Sequence, residues 1–272
     1  MHKQDIKIGE HIFQIISEST EVKAFFRKSF ILINNTNLVA KQNMEVTIEF
    51  GFGVPFVDYE VKIEKKENNI SFFRADYFIE VNSDYTKAKM FIHNELALKH
   101  ALMNLYSSYI VHMNWGLLIH SSCVIEQQKA YIFSGQSGAG KSTVAKLSYP
   151  RPLLSDEATI VKITQEKVTV FHSPFRSEIE GIEIEKPIPL SSVHLLHQSL
   201  INEKIEMKKS NGILNLMDKV FFWTHDSEEA KSIFYLLKNL VDNIPVYEFY
   251  FQKNNTFWEM IPNEYLCSKE LL

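Results

Sequence analysis

The stretch GQSGAGKS, at residues 135–142, brings glycine, lysine and serine together in a chain that has nine glycines in 272 residues. It matches the spacing G-x-x-x-x-G-K-[ST], in which backbone N–H groups approach a phosphate chain closely because side chains are missing. Such N–H groups and the start of the following helix together attract an anion. We therefore predict that this loop binds the phosphates of a nucleotide.

Individual residues of the loop have expected parts in that binding. Lys141 would bring a positive charge to the β- and γ-phosphates, and Ser142 would bring a hydroxyl to Mg²⁺. The residues predicted to bind the nucleotide are Gly135, Gln136, Ser137, Gly138, Ala139, Gly140, Lys141, Ser142 and Thr143. The expected cofactors are ATP and Mg²⁺, although these residues do not distinguish ATP from GTP. The alternative is a glycine-rich turn that meets Lys-Ser by coincidence.

Two adjacent acids follow in the stretch LLSDEATIV. Asp156 and Glu157 come fifteen residues after Lys141 and lie between apolar runs, which predicts a strand end beside the phosphates. Adjacent strand residues point to opposite sides, so one acid can support Mg²⁺ while the other serves elsewhere. We predict Asp156 as the base or acceptor-orienting group and Glu157 as the Mg²⁺ helper, with Asp156 also a candidate metal ligand. The pattern leaves open which of the two acids is the base and which supports the metal. The alternative is a solvated acidic turn.

A histidine before the loop and an arginine after it complete the predicted catalytic set of Asp156, His120, Lys141 and Arg176. His120 lies among apolar residues in LLIHSSCVI, where it either contacts phosphates or is a buried structural histidine. Arg176, in HSPFRSE, either stabilises charge on the transferring group or pairs at the surface with Glu178.

The block LLIHSSCVI…AYIFSGQSGAGKST…LLSDEATIV…FHSPFRSE resembles the HPr kinase-like family of P-loop proteins. That family is similar in fold to phosphoenolpyruvate carboxykinase and includes serine kinases linked to lasso-peptide pathways. The resemblance covers residues 94–261. It maps the family's histidine onto His120 and its paired aspartates onto Asp156 and Glu157, with a conservative change at the second. It implies that the first acid is the base and that the pair supports Mg²⁺.

The sequence departs from true HPr kinases near its end, because it lacks their run of Arg, Pro and Gly residues for protein substrates. HPr is therefore not the expected acceptor. A kinase acting on a hydroxyl of another peptide, a protein or a small molecule fits better, and we expect γ-phosphoryl transfer from a nucleoside triphosphate to a serine of a peptide or protein. Such an acceptor would suit the biosynthesis of a peptide natural product.

Two other classes of P-loop protein have sequence features that can be compared with this chain. An ABC-type ATPase needs an LSGGQ-like stretch and a distant acidic strand, and neither is present. A GTPase needs [NT]-K-x-D after the loop, whereas TKAK comes before it and lacks the aspartate. A non-kinase ATPase and a nucleotide-sensing module without catalysis both stay open.

The elements that must position these residues can be read from the sequence pattern. Residues 1–92 are β-rich, with alternation in YEVKIEK and an antiparallel meander ending near Ile92. A helix capped by Asn94 and ended by Gly116 follows, then strands around the loop, a short helix, and a helix with the capping box Asp226 and Glu229. We predict an α/β fold: a mixed-sheet, P-loop kinase core of the phosphoenolpyruvate carboxykinase/HPr kinase type at residues 93–272, preceded by a β-rich region.

Composition narrows the class of protein further. A net charge of −4 and a pI near 6.2 argue against a nucleic-acid binder. The chain has no apolar run of 18 residues, and MHKQDIKIGEHIF is not an export signal, so we expect a cytoplasmic protein with no membrane span. Cys123 and Cys267 are then expected as reduced thiols. The pattern leaves the oligomeric state open, a homo-oligomer included.

Overall fold

The structure of the chain, a computed structural model, describes residues 2–33, 42–177, 184 and 186–261. It is a mixed α/β protein whose strands form two large mixed sheets, as the α/β class predicts. Two compact units divide the chain: one is Met1–Trp115 with Phe221–Ile233, and the other is Gly116–Val220 with Phe234–Leu272. None of the helices in the described ranges is long and apolar enough to cross a bilayer.

Among its described residues, the first unit contains one eight-stranded sheet and two complete helices. Its elements are β1 (His2–Ile8), β2 (His11–Ser17), α1 (Thr20–Ser29), β3 (Ile31–Ile33), β4 (Met44–Phe50), β5 (Lys62–Lys66), β6 (Asn69–Arg74), β7 (Tyr77–Asn82), β8 (Lys87–Ile92) and α2 (Glu95–His112). The strand order is β3-β1-β2-β4-β8-β7-β6-β5. Strands β5 to β8 form the expected antiparallel meander, whereas β4 pairs in parallel with both β2 and β8.

Helix α2 belongs to this first unit, so the compact units differ from the predicted division between residues 92 and 93. Asn94 caps the helix as expected, accepting a hydrogen bond from the backbone N–H of Ala97 at 3.0 Å. The helix packs on β7 and β8, and Tyr106 Oη donates to the carbonyl of Ile8 at 3.1 Å. It ends at His112, and Gly116 instead begins the next strand.

The second unit contains the other eight-stranded sheet and the predicted phosphate loop. Its elements are β9 (Gly116–Glu126), β10 (Lys129–Ser134), α3 (Lys141–Leu147), β11 (Leu153–Ser155), β12 (Ala158–Ile163), β13 (Val168–Phe171), β14 (Ile188–Gln198), β15 (Glu203–Glu206), α4 (Lys209–Met217), the later part of α5 (Ser227–Asn243), β16 (Val246–Phe251) and a 3-10 helix (Asn255–Met260). The strands predicted around the loop and the short helix after it are confirmed, and the stretch VYEFYF forms β16.

Five strands of this sheet form a closed ring. The order is β10-β9-β12-β13-β14-β16-β15, with β11 paired to β9. Strand β14 pairs through its first residues with β13 and, further along, in parallel with β10. The ring β10-β9-β12-β13-β14 therefore returns to β10, the strand that leads into the glycine-rich loop.

An aromatic core supports the loop and the helix after it. Val144 and Ala145 of α3 pack in one buried cluster with Phe133, Phe251 and Trp258. The indole Nε1 of Trp258 donates to Ser148 Oγ at 3.0 Å, just after the end of α3. Burial of large aromatic side chains is strongly favourable, so this core fixes the short helix that could not stand alone.

Helix α5 begins within the segment Phe221–Ile233 of the first unit. As predicted, Asp226 caps it, because Asp226 Oδ1 accepts from the backbone N–H of Glu229 at 3.0 Å. The reciprocal half of the capping box differs, since Glu229 Oε2 accepts from the backbone N–H of His225 at 3.3 Å. The buried Glu229 carboxyl has its pKa raised to about 7, first by burial and then by the charge of Asp226.

Candidate phosphate-binding site

The glycine-rich loop connects β10 to α3, which is the strand–loop–helix context that the sequence motif requires. Gly138 has φ +79° and Gly140 has φ +111°, in the left-handed region where a side chain is strained. At Gly140 a Cβ atom would also lie 2.6 Å from Cζ of Phe251. Glycine at 140 is therefore required by backbone conformation and by packing together.

Lys141, the first residue of α3, turns its side chain back over the loop. Its Nζ donates to the carbonyl oxygens of Gly135 at 2.9 Å and Gln136 at 3.1 Å. Burial lowers the pKa of this ammonium group, and the like charge of Lys219 lowers it further. The lysine is thus held at the loop by neutral carbonyls, and a bound anion would replace weak partners with a strong one.

A cleft of about 510 Å³ opens beside the loop. The cleft is lined by residues 135–139 of the loop and also by Asn215, Asp218, Lys219 and Glu248. This volume lies within the range of roughly 300–1,000 Å³ in which small-molecule ligands bind. The cleft therefore brings space for a ligand beside the glycine-rich loop.

The two predicted acids lie at a strand end, as expected, in the bend between β11 and β12. Asp156 is 4% exposed, and Glu157 is half-buried. Ser121 of β9 stands between this bend and the loop strand, because it pairs with Ser134 on one side and donates its N–H to Glu157 O at 3.1 Å on the other. The bend is thus two strand spacings, about 10 Å, from the start of the loop.

Asp156 has a partner that the sequence did not reveal. Its Oδ1 accepts from the backbone N–H of Ser177 at 3.1 Å, and its Oδ2 accepts from Ser177 Oγ at 2.5 Å. A carboxylate with two donors from one residue fixes the backbone there. In this structure, therefore, Asp156 anchors the segment that follows β13.

His120 is half-buried in β9, next to the loop strand. Its carbonyl accepts from Ser134 Oγ at 2.7 Å, and its N–H donates to Lys219 O at 2.7 Å. Burial, followed by the charges of Lys141 and Lys219, lowers the pKa of His120 to about 4. The imidazole is consequently neutral at pH 7, and the charges of two lysines act on it.

Arg176 lies on the side of the acidic bend rather than on the loop itself. Its Nε donates to Ser173 O at 3.2 Å, and Nη2 donates to Leu154 O at 3.3 Å. Burial and then the charge of Arg176 lower the pKa of His172 to about 4. The alternative partner of the arginine, Glu178, lies outside the described residues.

The predicted metal ligands are oxygen donors at two places. Ser142 is exposed in the first turn of α3, and Asp156 and Glu157 lie in the bend two strands away. Across the described ranges, no group of three or more His, Cys, Asp or Glu side chains could hold a metal ion. A magnesium ion carried by nucleotide phosphates needs only one or two protein ligands, so these oxygen donors suit that kind of site.

Lys219 was not identified from the sequence. It follows α4 directly after Asp218 and matches no motif, and only the fold brings it to the loop. The residue is 8% exposed, and its Nζ donates to Asp218 Oδ2 at 2.6 Å. Only the structure reveals a buried lysine next to the glycine-rich loop, because the residues around Lys219 in the sequence form no recognisable motif.

Comparison with known proteins assigns a family to most of this region. Residues 83–266, more than half of the chain, match the model of the family described as "ScmC: SynChlorMet cassette protein ScmC". No curated protein matches the chain. The match includes the glycine-rich loop, the acidic bend and the strands on either side of both, and the chain therefore belongs to the ScmC family of SynChlorMet cassette proteins.

Proposed function

We propose that this protein is an ATP- and Mg²⁺-dependent kinase that transfers the γ-phosphoryl group to the hydroxyl of a serine in a peptide or protein. The observation that carries the proposal is the loop with Lys141 at its end, lying in the same sheet as a buried Asp156 about two strand spacings away. A phosphate site and a base at this separation suit a phosphoryl group and an acceptor hydroxyl lying between them.

Each group then has a role in the transfer. The loop N–H groups and the Lys141 ammonium bind the phosphates and offset their charge, and Mg²⁺, when bound, adds to that offset. The oxygen atoms of Ser142, Glu157 and Asp156 would be the protein groups that hold this ion. The acceptor oxygen forms a bond to the γ-phosphorus while the bond to the bridging oxygen breaks, so that ADP leaves with the electron pair. The hydroxyl proton passes to Asp156.

The histidine and the arginine assist without exchanging protons in this scheme. His120 is neutral at pH 7, so it can donate one hydrogen bond to a phosphate oxygen. Arg176 binds the carbonyl of Leu154, two residues before Asp156, and thereby supports the bend that carries the base. The HPr kinase-like resemblance supports the same assignment of loop, histidine and acids.

The acceptor that we propose is a peptide encoded near the gene for this chain. The family name describes its members as cassette proteins, which favours a substrate from the same cassette. The experiment incubates the purified chain with ATP, Mg²⁺ and each neighbouring peptide and follows peptide mass. Acceptor-dependent release of ADP, with a peptide heavier by one phosphoryl group, supports the kinase.

A second candidate is a nucleotide-binding module that performs no transfer. The observation in its favour is that both carboxylate oxygens of Asp156 accept hydrogen bonds from Ser177, which occupies the proposed base. In the same experiment, this module would bind ATP without releasing ADP or modifying any peptide. Release of ADP that no peptide accelerates would instead indicate a P-loop ATPase.

A further inference from the structure

Lys219 is attached to the same strand that borders the phosphate loop. Its carbonyl accepts the N–H of His120 at 2.7 Å, and the next residue, Val220, forms a β-bridge with Ile119. His120 is in turn tied to the loop strand by Ser134 Oγ. The backbone of Lys219 is therefore fixed at the loop, although α4 precedes it in the chain.

The side chain of Lys219 brings a second buried cation to this place. Lys219 and loop residues 135–139 line the same cleft, and Lys141 reaches over the start of that loop. The one acid that pairs with Lys219 in the described structure, Asp218, has a side chain that is 61% exposed. Burying two ammonium groups near each other is unfavourable unless an anion compensates them. The like charges lower the pKa of Lys141 and of His120, which agrees with their closeness.

We propose that Lys219 is a second phosphate-binding cation of this site and binds the terminal phosphoryl group of a nucleoside triphosphate. The inference rests on the proposed function. Strand β9 lies between the loop strand and the bend that carries Asp156, so a lysine tied to β9 is on the side from which the acceptor comes. Lys141 serves the phosphates nearest the loop, and Lys219 serves the one that is transferred.

Asp218 holds the ammonium group of Lys219 until the nucleotide arrives. Because the Asp218 carboxylate is mostly in water, exchanging it for phosphate oxygens has a small energetic cost. This gives the two residues opposite expected effects on binding. Removing Lys219 removes a ligand of the terminal phosphate, whereas neutralising Asp218 removes a competitor for the lysine.

The test compares MgATP and MgADP binding by calorimetry on the full chain. A hydrogen-bonded charge contributes roughly a tenfold to hundredfold change in affinity, so Lys219→Gln should weaken MgATP binding by about tenfold or more. MgADP, which lacks the terminal group, should change by less than about threefold. Lys219→Arg should retain most of the wild-type preference for MgATP over MgADP. In Asp218→Asn this preference should be equal to that of the wild type or greater. Lys146→Gln, at an exposed lysine of α3, is the matched control.

Thermal melting of each variant will test whether it is folded. Several outcomes of the binding measurements would overturn the inference. Equal weakening of both nucleotides by Lys219→Gln places Lys219 away from the terminal phosphate. Equal loss in Asp218→Asn and Lys219→Gln makes their ion pair structural only. In both cases the wild-type chain still binds nucleotide and the proposed function survives. A wild-type chain that binds neither MgATP nor MgADP overturns both the inference and the proposed function.

Discussion

The hydroxyl of Ser177 donates to Oδ2 of Asp156 at 2.5 Å, while the backbone N–H of the same serine donates to Oδ1 at 3.1 Å. A serine hydroxyl on a buried carboxylate is the arrangement that an acceptor serine would need with a catalytic base. Under the proposed kinase function, the chain's own serine would therefore compete with the acceptor for Asp156.

Replacing Ser177 by alanine should make the acceptor bind more easily. The change removes the competing hydroxyl and keeps the backbone hydrogen bond, so we expect the KM for the peptide to fall by about 10-fold or more, since a hydrogen bond to a charged group contributes roughly 1.5–3 kcal/mol. Steady-state kinetics with a peptide substrate measures this. Ser199→Ala, which removes a hydroxyl bonded to a loop N–H elsewhere, is the control. An unchanged or higher KM contradicts the competition.

Replacing Asp156 by asparagine tests the base directly. The side chain keeps its size but cannot take the proton, so transfer should slow by roughly 10²-fold or more while MgATP binding is largely retained. Single-turnover phosphorylation and calorimetry measure the two quantities. Glu157→Gln is the matched control and should weaken Mg²⁺-dependent binding more than the transfer step. Parallel loss of binding and transfer in Asp156→Asn would make Asp156 chiefly a metal ligand.

Replacing Lys141 by alanine should abolish transfer. The ammonium group lies at the loop on carbonyl oxygens, and its loss removes charge compensation for the phosphates. Phosphate incorporation into the peptide is the measurement, with MgATP affinity as a second readout. Wild-type turnover by this variant would remove the basis for assigning residues 135–142 to phosphate binding.

Two glycines of the loop should respond differently to alanine. At Gly140 the new Cβ would meet the ring of Phe251 at 2.6 Å, in addition to the positive φ, whereas at Gly138 nothing lies within 4 Å. We expect Gly138→Ala to lower the free energy of unfolding by about 1 kcal/mol, from backbone strain alone. Gly140→Ala should lower it by about 2–4 kcal/mol. Urea unfolding measures both, and equal losses would contradict the packing argument.

The pKa of Glu229 predicts a pH dependence of stability in the first unit. This pKa is raised from 4.5 to about 7 in the folded chain. The stabilising contribution is therefore complete below pH 4.5 and is lost as pH rises through 7, because the buried carboxyl must then ionise. Glu229→Gln should remove that loss, so the variant should melt higher than wild type at pH 8 and show little advantage near pH 4.5. The exposed neighbour provides the control, Glu228→Gln, and an identical pH profile in both variants would contradict the assignment.

Local features were predictable from the sequence because they depend on neighbouring residues. The strand before the loop, the helix after it, the cap at Asn94 and the strand-end position of Asp156 and Glu157 all follow from motif and periodicity. The parallel pairing of β4 with β2 and β8 joins segments far apart in the chain, and no local pattern specifies it.

The same limit applies to the site. The fold brings Ser177 to Asp156 and Lys219 to His120. Ser177 stands in the stretch HSPFRSE, but nothing there marks it as the partner of Asp156, and Lys219 matches no motif. The sequence predicts either a charge-stabilising role for Arg176 or a surface pair with Glu178, and its hydrogen bonds to carbonyls of its own loop and of β11 follow from neither pattern. Chemistry-bearing residue types were thus recognisable, but their partners required the fold.

The closed ring of strands β10-β9-β12-β13-β14 limits how the site can change shape when a ligand binds. The strands of a sheet with free edges can move apart or shift, but the ring cannot open without breaking a whole ladder of backbone hydrogen bonds at once. The strand ends that carry the loop and the acidic bend therefore keep a constant spacing. We therefore expect adjustment to a substrate to come from side chains such as those of Lys141 and Lys219, because the strands that carry the site are fixed.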